Sequence, residues 1–305
     1  MQFKIAFLFR SVNWRFIVLI LLTNCQYANS LYAKNNPNLQ QSRLIAFKRA
    51  QSLDNGVSIS WMEQSWKAGA LDESAIKKAD YELLKQLGFK SIRLPVAFRD
   101  FEDRNIPLQK IINNIDEVLA NCRKYGFKLV IDYHGGKLDD GTYRAETSRI
   151  IDLWLKIDEH YRNVSPDLLF FELYNEAPHM DTQIWKDAIY NIVTAVRKAD
   201  PQRTFIVGAS NYNSIYELSR FVRLADENII YSFHFYEPFL FTHQGAEWIG
   251  AQVATTGVPF PYNGENFPSM NPYAVGTPGE SNYKAYRTDG NEQSVHDKLM
   301  IPKNL

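Results

Sequence analysis

Cysteine is nearly absent from this sequence, which has two cysteines in 305 residues. The first, Cys25, lies in an N-terminal segment that we expect to be removed, so the mature chain retains one thiol and no intrachain disulfide. The second, Cys122, lies in the helical pattern IINNIDEVLANCRKYG and is expected to pack as a small apolar side chain rather than to act as a nucleophile. The zinc-binding spacings HExxH and CxxC do not occur, so we expect no metal site.

An excess of charge of either sign is also missing. Lysine and arginine total 34, aspartate and glutamate total 34, and the formal net charge is zero. No run of basic residues marks a nucleic-acid-binding surface, so nucleic acid is not expected as a partner. The even charge balance and a hydrophobic content of 45% are typical of a globular chain with one large core.

The N-terminal apolar run FIVLILLT, at residues 16–23, is too short to cross a bilayer, which takes about 20 residues. Basic residues precede it and small residues follow it, as in a cleavable signal peptide over residues 1–30: Lys4, Arg10 and Arg15, then Ala28 and Ser30. We therefore expect a secreted protein, extracellular or periplasmic, without a membrane span after cleavage. An uncleaved anchor is the alternative. A polar leader over residues 31–54 is expected before the folded domain.

Beyond the leader, segments with the pattern of strands alternate with segments of helical periodicity. Strands are predicted to begin near residues 57, 91, 129, 168, 204 and 228, and the first of them is predicted to end at Met62. Helices are predicted over 73–87, 108–125, 145–161, 181–198 and 214–221, followed by one long loop over 239–283 and a helix start after 291. The alternation indicates βα units and a parallel sheet, either doubly wound or closed into a barrel.

Polar side chains recur where these strands end. Because side chains alternate across a strand, each strand has one polar and one apolar face. The polar faces contain Arg93; Asp132 and His134; Glu172, Tyr174 and Glu176; and Ser232, His234 and Tyr236. Barrel enzymes keep their chemistry at the carboxyl ends of the strands, so this recurrence favours a barrel of the TIM type. We expect the polar set inside its mouth and the apolar set under the helices.

Each of these residues also has an interpretation without function. Asn175 and Glu176 can begin a loop, with the asparagine as a cap. Arg93 can be a structural ion-pair partner of Asp132 or Glu172, the two strand-end histidines can be core residues, and the tryptophans can be packing. The joint occurrence of polar groups at corresponding strand ends favours a single site over several independent explanations.

Four segments in this order resemble the successive strand-end motifs of glycoside hydrolase family 5, also called cellulase family A: SIRLPVAF, VIDYHG, ELYNEAP and SFHFYEPFLFTHQGAEW. The resemblance runs from about residue 55 to residue 248. It implies an α/β fold, the (β/α)8 TIM barrel of the retaining glycosidase clan, and cleavage of β-1,4-glycosidic bonds with no metal or other cofactor.

The resemblance also implies a role for individual residues. Glu176 is the implied general acid/base, which must hold a proton at working pH to protonate the leaving oxygen. Asn175 is the implied hydrogen-bond partner of the sugar 2-hydroxyl at the cleavage point. Arg93 and His134 would support the region of the nucleophile.

Further along the chain, the resemblance implies that His234 and Tyr236 orient the carboxyl groups. The flat apolar faces of sugars stack on aromatic rings, and the chain offers several candidates for such contacts: Trp61, Trp66, Tyr212 and Trp248.

The second carboxyl of a retaining glycosidase, about 5–5.5 Å from the acid/base, is the nucleophile. In the family it is a glutamate at the end of the seventh strand, in a Gly-Glu-Phe-Gly-like segment, and no such segment occurs here. Glu280, in VGTPGESNY, is the nearest imitation, but no apolar strand precedes it. We therefore expect a catalytic barrel over 55–305 that is incomplete, with about six of the eight βα units and a truncation before the seventh strand.

Three interpretations of function remain open. The first is a cellulase-like endoglucanase that acts on a β-glucan or related polysaccharide by a retaining two-carboxylate mechanism. The second is a glycan-binding protein without catalysis, and the third is an inactive fragment. The sequence does not separate glucan, mannan and xylan as substrates, because loop contacts decide that choice.

Overall fold

The computed structural model describes residues 37–63, 78–221, 223–250 and 253–301. The expected signal peptide, Trp66 and the predicted helix start at 73 lie outside these residues. The chain forms two compact units, of which the first ends at Phe233 and the second begins at His234. Among the described residues, no helix combines the length and the apolar character that a membrane span requires.

The first unit is built on one sheet of six strands, in which neighbours are parallel and follow one another in chain order. The strands are β1 (Gly56–Ser58), β2 (Ser91–Val96), β3 (Lys128–Tyr133), β4 (Leu169–Glu172), β5 (Phe205–Gly208) and β6 (Ile229–Ser232). Sequential parallel order with helical crossovers is the topology of the (β/α)8 barrel. The predicted fold class is confirmed: the unit is an incomplete TIM barrel of six strands over the described residues.

The described helices of this unit are α1 (Pro37–Ser52), α2 (Lys78–Gln86), α3 (Phe98–Asp103), α4 (Leu108–Tyr125), α5 (Tyr143–Tyr161), α6 (Thr182–Ala199) and α7 (Ile215–Arg220). A four-residue helical turn, Ser210–Asn213, precedes α7. The helices predicted over 108–125, 145–161, 181–198 and 214–221 are confirmed as α4, α5, α6 and α7, with bounds within two residues.

Local signals set the helix ends. Gly126 follows α4 in the left-handed conformation, with φ of 82°, and its N–H donates to the carbonyl of Cys122. Asp181 precedes α6, and its carboxylate accepts hydrogen bonds from the N–H groups of Gln183 and Ile184.

The thiol of Cys122, on α4, is fully buried, and burial raises its pKa to about 12. A thiol with this pKa carries no thiolate at neutral pH, so Cys122 packs rather than reacts.

The two faces of the sheet differ as expected. One face packs under the helices and supplies much of the main core: Ile92, Leu94, Val96, Leu129, Ile131, Leu169, Phe171, Phe205 and Val207. The other face forms a separate buried cluster toward the amino ends of the strands: Val130, Phe170, Ile206 and Ile230, with Ala50 and Leu53. The polar residues Arg93, Asp132 and Glu172 follow on this second face, nearer the carboxyl ends.

Helix α1 closes the amino end of the sheet. Ala50 and Leu53 join the cluster inside the sheet, and the hydroxyl of Ser91 donates to the carbonyl of Leu53 at 2.7 Å. Arg49 donates to Asp167 and Thr204, which lie next to β4 and β5. Much of the segment that we expected to be a polar leader is therefore a helix of the first unit, packed against its sheet.

The predicted first strand, from residue 57 to 62, is shorter than expected. Strand β1 ends at Ser58, and Met62 makes one further parallel bridge to Val96. This bridge keeps the end of the segment beside β2, and Glu63 follows it directly.

The second unit contains α8 (Phe239–Thr242), α9 (Pro278–Asp289), α10 (Glu292–Leu299) and 3₁₀ turns at Glu247–Ile249 and Pro272–Ala274. Tyr286 of α9 is buried with Leu240 and Val258, and its hydroxyl donates to the carbonyl of Pro259 at 2.6 Å. The prediction of one loop over 239–283 was therefore wrong in part, because this aromatic cluster stabilises a helix that begins at Pro278.

Candidate active site

Arg93, in the middle of β2, binds two carboxylates at once. Its Nε and Nη2 donate to the two oxygens of Glu172 at 2.6 and 2.9 Å, and Nη2 also lies 2.9 Å from Asp132 Oδ2. Asp132 and Glu172 are register partners on β3 and β4, so both acids reach the same level of the sheet. Both are buried, and the guanidinium between them neutralises charge that would otherwise repel. Arg93 thus forms the ion pairs with Asp132 and Glu172 that the sequence analysis considered.

The same guanidinium orients Asn175. Arg93 Nη2 donates to Asn175 Oδ1 at 2.8 Å, and the Asn175 N–H donates to the carbonyl of Tyr133 at 2.9 Å. Because arginine is only a donor, the amide atom that faces it must be the oxygen. The Asn175 NH₂ group is thereby directed away from Arg93, with two donors for a ligand.

His134 follows β3 and lies between two acids. Its Nδ1 is 2.9 Å from Asp132 Oδ2, and its Nε2 is 3.7 Å from Glu63 Oε2. Burial opposes the charged ring, but the hydrogen bond to Asp132 and the charges of Asp132 and Glu63 outweigh it, so the pKa of His134 lies above its ordinary value. The imidazole is therefore held in place and biased toward its charged form.

Asp132 is the most deeply buried acid of this cluster. Burial raises the pKa of its carboxyl to about 6, and the nearby charge of Glu172 acts in the same direction, against Arg93 and His134. Its Oδ1 has no hydrogen-bond partner among the residues that the structure describes. Burial thus favours the protonated acid, whereas Arg93 and His134 favour the carboxylate.

Glu176 lies directly after Asn175, beyond the end of β4. It is half-buried, and its backbone has a positive φ of 46°. Few residues with a Cβ adopt this left-handed region, and those that do are often found at functional sites. The unusual backbone turns the Glu176 side chain away from the direction that a continued strand would give it.

Three further predicted site residues lie in the second unit. The rings of His234 and Tyr236 make an edge contact at 6.1 Å, and Tyr236 makes another with His243 at 5.1 Å. Trp248, in a 3₁₀ turn, is 85% exposed. The structure thus brings Arg93, His134 and Asn175 into one hydrogen-bonded network around Asp132 and Glu172, next to Glu176, and places His234, Tyr236 and Trp248 in the separate second unit.

Two aromatic residues with a predicted role at the site pack in or against the core instead. Tyr174 was expected on the polar face, but it is buried in the main core, stacked on Tyr133 at 5.4 Å. The strand ends at Glu172, so strict alternation stops before Tyr174. Trp61, a candidate for sugar stacking, packs against the core and contacts Tyr81 at 5.2 Å. Tyr212, by contrast, is 56% exposed.

Sequence reasoning missed Glu63. This residue follows the end of the first predicted strand, the position at which the other strands carry their polar groups, so the pattern contained a signal for it. The signal was weak because the strand prediction ended in the apolar residue Met62.

This chain is similar to a known protein family and to several of its members. The family model described as "Cellulase (glycosyl hydrolase family 5)" matches residues 51–286. Endoglucanase C of Acetivibrio thermocellus is 34% identical over 218 residues, which are 66% of this chain and 63% of that protein. Endoglucanase 3 of Fibrobacter succinogenes is 28% identical over 283 residues, 84% of this chain and 42% of that protein.

Among solved structures, endoglucanase Cel5A from Thermotoga maritima superposes with a TM-score of 0.61 at 25% identity, covering 72% of each chain. The same enzyme has been solved in complex with cellobiose, with a TM-score of 0.57 and 25% identity. This chain spans less than two thirds of the length of the two curated relatives.

Proposed function

Because this chain belongs to the cellulase family, glycosyl hydrolase family 5, we propose that it hydrolyses β-1,4-glycosidic bonds of a polysaccharide, as an endo-β-1,4-glucanase with a retaining mechanism. The observation that carries the proposal is the Asn175–Glu176 pair, fixed beyond β4 by the hydrogen bond from Arg93. The names of the relatives, endoglucanases C and 3, support a glucan substrate.

In the proposed mechanism Glu176 acts twice. It first donates its proton to the glycosidic oxygen as the bond to the anomeric carbon breaks, and it then accepts a proton from the water that releases the sugar. A general acid must be partly enclosed to hold its proton near neutral pH, and the half-buried position of Glu176 suits this requirement. The partner carboxylate would attack the anomeric carbon from the opposite side, about 5–5.5 Å away.

The network around Glu176 supplies binding and orientation. The Asn175 NH₂ group would donate to the sugar 2-hydroxyl, since its oxygen is occupied by Arg93. His134, fixed by Asp132, would present a charged donor to the substrate or to the nucleophile. Tyr212 would offer an exposed ring for sugar stacking. The roles that the family resemblance implies for His234, Tyr236 and Trp248 stay predictions.

A second candidate function is glycan binding without catalysis, and one observation favours it. Three carboxylates of the described network lie beside a cationic side chain: Glu172 beside Arg93, Asp132 beside Arg93 and His134, and Glu63 beside His134. Glu280, the sequence-based candidate for the nucleophile, lies in the first turn of α9, where its carboxylate accepts from Gly276 N–H and Lys284. Each of these contacts would have to loosen before the acid could attack an anomeric carbon, which favours binding without turnover.

One experiment separates these functions. The purified chain is incubated with cellotetraose while product release and affinity are both measured, the latter by calorimetry. Release of shorter sugars with retained anomeric configuration supports the glucanase. Affinity without release supports the binding protein, and the absence of both rejects the two proposals together. Mannotetraose and xylotetraose in parallel determine the substrate class.

We also propose that the chain is secreted and meets its polysaccharide outside the cytoplasm. The support is the signal-like sequence over residues 1–30 and the large size of the substrate, which does not enter cells. Fractionation of a culture that expresses the full sequence tests this: the mature chain is expected outside the cytoplasm with an N-terminus at Leu31, and retention of the full-length chain in the cytoplasm would contradict it.

A further inference from the structure

Four residues other than glycine have positive φ angles in the segments that follow β4 and β5: Glu176 (46°), Asn211 (56°), Tyr212 (61°) and Asn213 (55°). The left-handed region is unfavourable for residues with a Cβ. Asparagine tolerates it best, whereas a bulky residue such as Tyr212 rarely adopts it. Three such residues in succession persist only where neighbouring contacts hold them.

Two backbone hydrogen bonds connect the strained segments. The N–H of Tyr212 donates to the carbonyl of Ala177 at 2.7 Å, and the N–H of Asn211 donates to the carbonyl of Pro178 at 3.1 Å. Ala177 is fully buried, and the proline after it restricts its backbone to extended conformations. The Ala177–Pro178 peptide, one residue beyond Glu176, is therefore fixed from the side of β5.

The residue that precedes Glu176 is fixed from the side of β3. Asn175 is held by its N–H bond to the Tyr133 carbonyl and by Arg93 on its amide oxygen. Glu176 thus lies between two anchored residues, Asn175 and Ala177. These anchors restrict the φ angle of Glu176 and, with it, the direction of its side chain.

The turn that supplies the second anchor is itself tightly held. Asn213 is fully buried and lies against Gly208, where a Cβ would overlap the Asn213 amide. The carbonyl of Gly208 accepts a hydrogen bond from the indole of Trp185 at 3.1 Å. Residue 208 must therefore be glycine for the turn to adopt its position beside the Ala177–Pro178 peptide.

We propose that the left-handed turn Asn211–Asn213 is a positioning element for Glu176. Through its hydrogen bonds to Ala177 and Pro178 it holds the backbone rotation that aims the Glu176 carboxyl at the glycosidic oxygen. The identity of Glu176 as the acid rests on the proposed function, whereas the restraint on its backbone does not.

The test compares substitutions at Asn211, whose side chain is only half-buried. Asn211→Val disfavours the left-handed conformation, and Asn211→Gly keeps it. Asn105, at φ of 58° in an exposed turn after α3, provides the matched control pair Asn105→Val and Asn105→Gly. If Asn211→Val does not fold, Asn211→Ala is the milder variant, and the same pattern is expected with smaller effects.

The first measurement is kcat/KM, which reports the first bond cleavage, on cellotetraose and on 2,4-dinitrophenyl cellobioside, whose leaving group departs without a proton. Asn211→Val is expected to lose about tenfold or more in kcat/KM on cellotetraose and less than about threefold on the activated substrate, because only cellotetraose needs the acid in this first step. Asn211→Gly is expected to restore most of the loss. Equal losses on both substrates would overturn the proposal. It would also be overturned if Asn105→Val, compared with Asn105→Gly, lost more on cellotetraose than on the activated substrate.

The second measurement does not need turnover. With selectively labelled glutamate, the backbone ¹³C shifts of Glu176 are expected to change in Asn211→Val and to stay in place in Asn211→Gly. The amide of Tyr212 is expected to exchange faster in the valine variant alone. A wild-type chain without turnover rejects the proposed function only, whereas unchanged Glu176 shifts in Asn211→Val reject the positioning role.

Discussion

The guanidinium of Arg93 donates hydrogen bonds to both oxygens of the Glu172 carboxylate, at 2.6 and 2.9 Å. The same group pairs with Asp132 and donates to Asn175. Glu172 is almost fully buried, so its charge depends on this partner. A buried ion pair of this kind fixes geometry more than it adds stability. What it fixes here is the amide beside the proposed acid/base.

Glu172→Gln is expected to destabilise the fold by about 1–3 kcal/mol, since Arg93 keeps Asp132 but loses its bidentate partner. Denaturant unfolding measures the change. Glu102→Gln, which breaks the exposed pair with Arg149, is the control and is expected to stay within about 0.5 kcal/mol of wild type. Equal effects of the two substitutions would show that the Arg93–Glu172 pair has no special structural role.

Asp132→Asn is expected to lower the pKa of His134. In the wild type the hydrogen bond and the charge of Asp132 raise this pKa above its ordinary value against the effect of burial. Without the carboxylate, burial dominates and the pKa falls. Titration of the His134 ring by NMR measures both values, and an unchanged pKa in Asp132→Asn would mean that Glu63, 3.7 Å from Nε2, provides the stabilising charge instead.

Asp158 on α5 is expected to make stability depend on pH. Its two oxygens are buried without a hydrogen-bond partner in the described part of the chain, and Arg162 approaches only to 3.8 Å. Burial, with the nearby charge of Asp200, raises the pKa of Asp158 from 3.8 to about 6. The folded state therefore retains a proton that the unfolded chain releases.

Stability from this group is greatest at low pH and is lost as the pH rises from about 4 to about 6, because ionisation is then harder in the folded state. Asp158→Asn removes the titration, so its stability relative to wild type is expected to increase across this window by about 2 kcal/mol. Thermal or urea unfolding at several pH values measures the difference. A difference that is constant with pH would contradict the assignment.

Much of the first unit was predictable because its signals are local. The apolar periodicity of α4 with Gly126, and the Asp181 cap of α6, fix these helices in the sequence itself. The alternation in β2, β3 and β4 separated the residues under the helices from those inside the sheet. The network of Arg93 with Asp132 and Glu172 follows from that alternation and from the parallel register.

The remaining features depend on contacts that sequence patterns do not contain. Tyr174 does not lie on the polar face, because β4 ends two residues before it. Tertiary packing determines where the strand ends and places Tyr174 in the main core. The left-handed turn after β5 has no glycine or other turn signal at Tyr212, so tertiary contacts account for it: the hydrogen bonds to Ala177 and Pro178 and the packing of Asn213 against Gly208. Helix α9 was missed because its stability comes from aromatic packing around Tyr286 in a segment rich in glycine and proline.

The central claim is that Glu176 is the acid/base of a β-1,4-glucanase, and the most direct measurement is the release of reducing ends from carboxymethyl-cellulose by wild type, Glu176→Gln and Glu280→Gln. Glu280, whose carboxylate is bound by Gly276 and Lys284, provides the control. We predict activity in wild type and in Glu280→Gln, and a loss of about 10²–10⁴-fold in Glu176→Gln. Equal activity of wild type and Glu176→Gln, or no release by wild type above a blank, would contradict the account.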